Sequence, residues 1–152
     1  MNSESETMMP LSITKTLSFC AAHRLIGHEG ACANLHGHNY TVEVTIECSS
    51  DKHQLDSVGR IIDFSRIKKE LQGWLDIHWD HATIINSTDT DLFTFLDKGK
   101  QKFYVLERCN ATAEHMAQHL LLMFGFLICH PLRVSQVRVY ETPTGCATAR
   151  GV

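Results

Sequence analysis

The segment Cys32-Ala33-Asn34-Leu35-His36-Gly37-His38 runs without a break into Asn39-Tyr40-Thr41-Val42-Glu43-Val44-Thr45-Ile46-Glu47-Cys48. The second part alternates. Tyr40, Val42, Val44, Ile46 and Cys48 share one parity, and Asn39, Thr41, Glu43, Thr45 and Glu47 share the other. A period of two with β-branched residues predicts a half-buried strand. Extended backward, the apolar parity meets His38 and His36, so a strand starting at His36 projects both imidazoles from its packed face, side by side. Two neighbouring imidazoles there suit a metal ion. The plainer alternative is a polar His-Gly-His turn leading into the strand.

Upstream, Leu11 to His23 reads as a first strand, rich in Ile, Thr, Leu and Phe and closing on Ala21-Ala22-His23. The loop Ile26 to Leu35 connects it to the second strand. Antiparallel pairing of the two would set His23 beside His36 and His38. Cys20 lies three residues before His23, hence on the opposite strand face, and reads as a small buried hydrophobe.

Downstream, Asp51 to Gly59 is a polar loop. Asp63 caps a helix whose apolar side is Phe64, Ile67, Leu71, Trp74, Leu75 and His78. It ends near Trp79-Asp80-His81, and Ala82 to Asn86 is a short apolar exit. Ser87 to Gln101 reads as loop and Phe103 to Leu106 as a short strand. Asn110 or Thr112 caps a second helix, with Glu114 in its first turn and Met116, Ala117, Leu120, Leu121, Phe124 and Ile128 on its apolar side; Pro131 stops it. Arg133 to Thr142 alternates again, with Glu141 on the parity of Val137 and Val139. Pro143 to Val152 is a turn-rich tail. The expected domain is single, spanning 11–152 behind a frayed tail, Met1 to Pro10.

Composition removes several classes of function. At 152 residues, 43% hydrophobic and 20% charged, the chain is an ordinary globular domain. A net charge of −3 with no basic run argues against nucleic-acid or membrane-surface binding. No apolar run reaches the roughly 18 residues of a spanning helix. The six cysteines form no CxxC pair. With no export signal at the N-terminus, they read as thiols of a reducing, cytoplasmic compartment.

Several groups could carry chemistry. A catalytic zinc takes three protein ligands and keeps one position open, and His23, His36 and His38 can supply three. Cys32, in the loop before them, would feel a dication on His36, which favours its thiolate. It could then be a fourth ligand that closes the site, a nucleophile or a general base. Asp80 could orient His81, since a helix end turns the backbone enough for adjacent residues to pair; His78 reads as packing. Glu141 could accept paired hydrogen bonds from an amino-amide edge such as that of a pterin or guanine. Thr112-Ala113-Glu114 could add backbone donors at a helix N-terminus. His28, His53, His115, His119 and His130 read as surface or packing residues.

Six motifs then occur in order: Ala21-Ala22-His23-Arg24-Leu25; Cys32-x-x-x-His36-Gly37-His38-Asn39-Tyr40; Ile62-Asp63-Phe64; Asp80-His81-Ala82-Thr83; Asn110-x-Thr112-x-Glu114; and Val139-Tyr140-Glu141-Thr142-Pro143-Thr144. Together they resemble the 6-pyruvoyl-tetrahydropterin synthase superfamily. The three-residue gap between Cys32 and His36 is similar to its 6-carboxytetrahydropterin synthase branch. The resemblance implies an α+β T-fold: an antiparallel four-stranded sheet with two helices on one face, assembling as a homo-oligomeric barrel, a tetramer or hexamer with sites at subunit interfaces. It also implies Zn2+ on His23, His36 and His38, a catalytic group of Cys32, Asp80 and His81, and pterin binding by Glu141, Thr112 and Ala113. The activity implied is conversion of 7,8-dihydroneopterin triphosphate to 6-carboxytetrahydropterin, with release of acetaldehyde and triphosphate. The alternatives are 6-pyruvoyl-tetrahydropterin synthesis and a non-catalytic, zinc-stabilised pterin-binding module. Ala111 stands where the family pattern usually has proline, and Ser87 to Lys102 fits no motif.

Overall fold

A computed structural model describes residues 11–48 and 55–151. The expected tail Met1 to Pro10, the first part of the Asp51 to Gly59 loop, His53 and Val152 lie outside the described residues.

Strands β1 (Ser12–His23) and β2 (His36–Cys48) are the expected antiparallel pair, in register from Ser12 opposite Glu47 to His23 opposite His36. The alternation read in β2 is real. Tyr40, Val42, Val44 and Ile46 are buried, and Leu17, Phe19, Ala21 and His23 of β1 face the same way. Each fully buried aliphatic side chain stabilises the fold by about 1.5–3 kcal/mol.

The first helical segment is α1 (Phe64–Ile67), a π turn (Lys68–Gln72) and α2 (Gly73–His78). The Asp63 carboxylate accepts from the Ser65 amide, as a cap should. Ile67, Leu71, Trp74 and Leu75 enter the core, but Phe64 is 49% exposed, with the Lys15 ammonium 5.9 Å from its ring centre. Trp79, just past the helix, is fully buried in its place and packs edge-on to Phe19. His78 tilts against Trp74, the packing role expected of it.

The sheet is larger than expected and mixed. Its order is β4-β3-β1-β2-β5-β6, with β3 (Ala82–Asn86), β4 (Phe103–Leu106), β5 (Leu132–Thr142) and β6 (Gly145–Arg150). The pairs β1–β2, β2–β5 and β5–β6 are antiparallel, while β3 and β4 join in parallel on the other side of β1. The expectation of four antiparallel strands is therefore corrected to six in a mixed sheet. Ala82 to Asn86 pairs in parallel with the end of β1 because the helix returns the chain to that edge. The tail folds back on β5 as β6, with Ala147 opposite Val139 and Ala149 opposite Val137.

Ser87 to Gln101 is corrected as well, since it holds α3 (Thr90–Lys98). Asp89 caps it by accepting from the Leu92 amide. Leu92 and Leu96, one turn apart, pack on Ile85 and Phe103. Successive residues of β3 point to opposite sheet faces, so Ile84 joins the main core while Ile85 meets α3 on the other side. Helix α4 (Ala113–Leu127) packs on the same core as α1 and α2, through Met116, Ala117, Leu120 and Phe124. The helices thus number more than two, with α3 on the face opposite α4. Cys20 is corrected too. It faces away from the main core and is exposed, its thiol donating to Asn39 Oδ1 at 3.0 Å.

Candidate functional site

The register of β1 and β2 puts His23 opposite His36 and Ala21 opposite His38, so three imidazoles meet at one end of the packed face. Gly37, between the two β2 histidines, runs very close to β1. A Cβ there would lie 3.0 Å from Ala21 O, so glycine lets the strands close at this point without either one giving way.

One nitrogen from each of His23, His36 and His38 falls in a group whose members all lie within 4.8 Å of one another. His23 Nε2 and His36 Nε2 are 3.1 Å apart. The Nδ1 of His23 is 2.7 Å from Ala111 O, and that of His36 is 2.7 Å from Asn34 O. A carbonyl only accepts, so each ring carries its proton on Nδ1 and turns the Nε2 lone pair inward. His38 Nε2 is buried and has no hydrogen-bond partner among the described residues. Three converging imidazole nitrogens, with outer carbonyls fixing the tautomers of His23 and His36, are a donor set and support that suit a zinc-type cation. A proton serves less well, because burial, the largest influence, lowers the basicity of His23.

Glu141 reaches the same place. Its Oε1 lies 3.4 Å from His23 Nε2 and 3.8 Å from His38 Nε2. It sits where the β5–β6 register slips, between Tyr140 and Thr142. Such bulges re-aim side chains. The Tyr40 hydroxyl is 3.4 Å from both ring nitrogens of His23 and bonds to Glu141. Burial first, and then Glu141, push its ionisation well above the ordinary phenol range, so it stays a donor.

Cys32 sits on the short 3-10 turn Ala31–Ala33 and is half-buried. The Leu25 amide donates to its carbonyl at 2.9 Å, pinning the loop. Its sulfur is not a member of the imidazole donor group, yet it lies near enough to Tyr40 to act on that phenol electrostatically. The loop is tied down further by Asn110, which exchanges hydrogen bonds with both backbone groups of Ile26, and by the bidentate pair Arg24–Asp89.

Asp80 and His81 form the expected pair, with His81 Nδ1 2.7 Å from Asp80 Oδ2. The other carboxylate oxygen accepts the Cys20 amide at 2.8 Å, which heads the causes that hold the Asp80 carboxyl below its usual range. His81 takes the left-handed conformation (φ 57°) and donates its amide to Cys20 O. For a residue other than glycine that backbone is uncommon and concentrates at functional sites. Lys102 Nζ donates to the carbonyls of Asp76 and Asp80, closing the end of α2. No hydrogen bond or ion pair joins Asp80 or His81 to the imidazole cluster among the described residues. His38 and His81 do both line one open cleft of about 720 Å³, with Cys20, Asn39 and Lys102.

At the start of α4, Thr112 rather than Asn110 is the cap, its hydroxyl accepting from the His115 amide. The Thr112 amide is already donated to Asn110 O. Ala113 opens the helix. The fully buried Ala111, beside them, supplies the carbonyl that orients His23.

Sequence reasoning missed the supporting groups: the carbonyls of Ala111 and Asn34, the Cys20 amide and Lys102. Backbone groups leave no mark in a sequence. Tyr40 did carry a signal, since it shares the parity of His36 and His38.

The family model described as 6-pyruvoyl tetrahydropterin synthase matches residues 12–152. A protein of Rickettsia bellii named 6-carboxy-5,6,7,8-tetrahydropterin synthase is 33% identical over 136 residues, covering 88% of this chain and 95% of its own length. A Haemophilus influenzae protein of the same name is 34% identical over 136 residues, covering 87% and 93%. Among solved structures, an uncharacterised protein of Wolinella succinogenes superposes with a TM-score of 0.77 at 26% identity, covering 95% of this chain and 100% of the other. The 6-pyruvoyl tetrahydropterin synthase of Caenorhabditis elegans superposes with a TM-score of 0.66 at 25% identity, covering 95% and 98%.

Proposed function

Because the chain belongs to the 6-pyruvoyl tetrahydropterin synthase family, we propose that it is a zinc-dependent 6-carboxy-5,6,7,8-tetrahydropterin synthase. It converts 7,8-dihydroneopterin triphosphate to 6-carboxytetrahydropterin, releasing acetaldehyde and triphosphate, a carbon–carbon lyase step on the way to 7-deazaguanine nucleosides such as queuosine. The observation that carries the reading is the convergence of three imidazole nitrogens with a thiol left outside the donor group. The names of the relatives support the carboxy product over the pyruvoyl one, as does the short gap between Cys32 and His36.

His23, His36 and His38 hold the metal, which when bound supplies Lewis-acid polarisation of the substrate's side-chain oxygens. Glu141 accepts from the amino-amide edge of the pterin, and Thr112 and Ala113 flank that edge at the start of α4. Cys32 takes a proton from the substrate side chain as general base. His81, oriented through Nδ1 by Asp80, carries protons to and from that side chain. A homo-oligomer, a tetramer or hexamer, brings these groups together at subunit interfaces. The surroundings are those of the cytoplasm, and no helix among the described residues is long and apolar enough to cross a membrane.

Incubation of the zinc-loaded protein with 7,8-dihydroneopterin triphosphate tests the reading. Acetaldehyde and 6-carboxytetrahydropterin are the expected products. Triphosphate without acetaldehyde would make it a 6-pyruvoyl-tetrahydropterin synthase. Neither product would leave a zinc-stabilised pterin-binding module.

A further inference from the structure

We infer that Lys102, which stands outside every sequence motif, is a positioning residue for His81: its ammonium clamps the peptide that joins Asp80 to His81. The inference rests on the role given to that dyad in the proposed function.

The peptide between Asp80 and His81 has two polar atoms, and both are held from other elements. Asp80 O accepts from Lys102 Nζ at 2.6 Å, and the His81 amide donates to Cys20 O at 2.7 Å. The Cys20 amide in turn holds Asp80 Oδ1 at 2.8 Å. Gripped at both ends, the peptide plane cannot swing. This grip keeps His81 at φ 57°. A residue other than glycine stays in such a conformation only where its surroundings over-determine it.

The end of α2 is built to receive a cation. The Asp80 amide reaches back past Asp76 O to Leu75 O, which also takes the Trp79 amide. Asp76 O is thereby left for Lys102 Nζ, at 3.0 Å. Carbonyls at a helix C-terminus lack partners within the helix and carry the negative end of its dipole. The lysine is itself anchored. Its carbonyl accepts from the Thr83 amide at 3.0 Å, and the next residue, Phe103, lies opposite Thr83 in the β3–β4 ladder. Strand β3 starts one residue after His81, so the strand that leaves the dyad fixes the lysine that holds it.

The imidazole needs this support because little else holds it. Its side chain is 79% exposed, and its one side-chain hydrogen bond among the described residues is Nδ1 to Asp80 Oδ2. Packing does not orient the ring. The peptide plane and the carboxylate do, and together they leave Nε2 free at the cleft that His81 shares with His38 and Lys102.

The test compares the zinc-loaded full chain with Lys102→Met, Lys102→Arg, His81→Ala and the double variant Lys102→Met/His81→Ala. Lys98→Met, in the last turn of α3, controls for loss of one cation. Lys102 is exposed, so methionine keeps the stem without disturbing the core, and thermal melts verify folding. Lys102→Met is expected to lower kcat for acetaldehyde release by roughly 10–100-fold, up to the loss that a misplacement of about 1 Å causes, with KM little changed. Arginine, which can still donate to both carbonyls, should recover most of the rate. In the His81→Ala background the same change should cost nothing further, because residues that act as a unit are not additive. Wild-type kcat in Lys102→Met, an equal fall in Lys98→Met, or a second full loss in the double variant overturns the inference. Ring-nitrogen NMR shifts of His81, assigned by their absence in His81→Ala, are read about two pH units above the ordinary imidazole value. Wild type is expected to hold the proton on Nδ1, and Lys102→Met to share it between both nitrogens. If wild type yields neither acetaldehyde nor triphosphate, the proposed reaction fails and this second measurement decides alone: identical His81 shifts in the two proteins overturn the clamp, and different ones uphold it.

Discussion

His23 and His36 face each other across the β1–β2 ladder with their Nε2 atoms 3.1 Å apart, and each ring is turned there by a carbonyl 2.7 Å from its Nδ1. Neither carbonyl belongs to the strand face. Asn34 O comes from the loop before β2, and Ala111 O from the approach to α4. These two segments therefore orient the imidazole cluster through backbone rather than side chains. Outer-shell carbonyls of this kind raise ligand basicity and fix the tautomer.

Cys32 separates a structural centre from a catalytic one. Its sulfur is outside the imidazole donor group. Cys32→Ala is expected to keep its zinc and its melting temperature while turnover falls by about 100-fold or more, the lower range of what a general base contributes. Metal analysis, thermal melts and acetaldehyde release measure the three. Loss of zinc in the variant would place the thiol among the ligands.

Arg24 and Asp89 tie the residue after His23 to the cap of α3, with the Asp89 side chain 4% exposed and that of Arg24 32% exposed. Removing the cation leaves a buried carboxylate, and Arg24→Met should cost about 3 kcal/mol, the low end for a broken buried pair. The pH dependence follows from the depressed Asp89 carboxyl, whose largest cause is the Arg24 hydrogen bond. A depressed carboxyl contributes stability above its unfolded value and loses it as pH falls through the folded one. The variant should therefore acid-unfold at a higher pH than wild type. Urea melts across the acid range measure this, and coincident acid midpoints would dismiss the pair as a stabiliser.

Gly37 is a steric requirement of the imidazole cluster. Gly37→Ala sets a Cβ 3.0 Å from the Ala21 carbonyl, a backbone atom that cannot swing aside. The expected cost is about 1–3 kcal/mol from overpacking. Because the spread falls between His36 and His38, zinc affinity should drop as well. Parallel denaturant and chelator titrations test both, and a stable variant with reduced zinc affinity would still place the strain at the metal.

The imidazole side of the site was legible because a strand has a period of two. His36 and His38 follow from the alternation of Tyr40 to Cys48, and His23 from antiparallel pairing. Glu141 could be read from Val137 and Val139 in the same way. The parallel edge was not legible. Ala82 to Asn86 is a short apolar run whose partner is set by the preceding helix, and propensity says nothing of that. In α3, Phe93 and Phe95 are exposed beside the buried Leu92 and Leu96, which blurs the helical stripe; the cap at Asp89 was the usable signal. In β6, Ala147 and Ala149 are too small to mark a face. The helical stripe includes Phe64, which is exposed at the first position of α1, and omits Trp79, which continues the buried spacing of Leu71 and Leu75 past the end of α2.

Zinc content tests the central claim most directly. Purified wild-type protein, His36→Ala and Cys32→Ala are compared by elemental mass spectrometry after dialysis against zinc and then against buffer. Three imidazole donors with the sulfur outside predict about one zinc per chain in wild type and in Cys32→Ala, and far less in His36→Ala. Equal zinc in wild type and His36→Ala, or loss of zinc in Cys32→Ala alone, would contradict it.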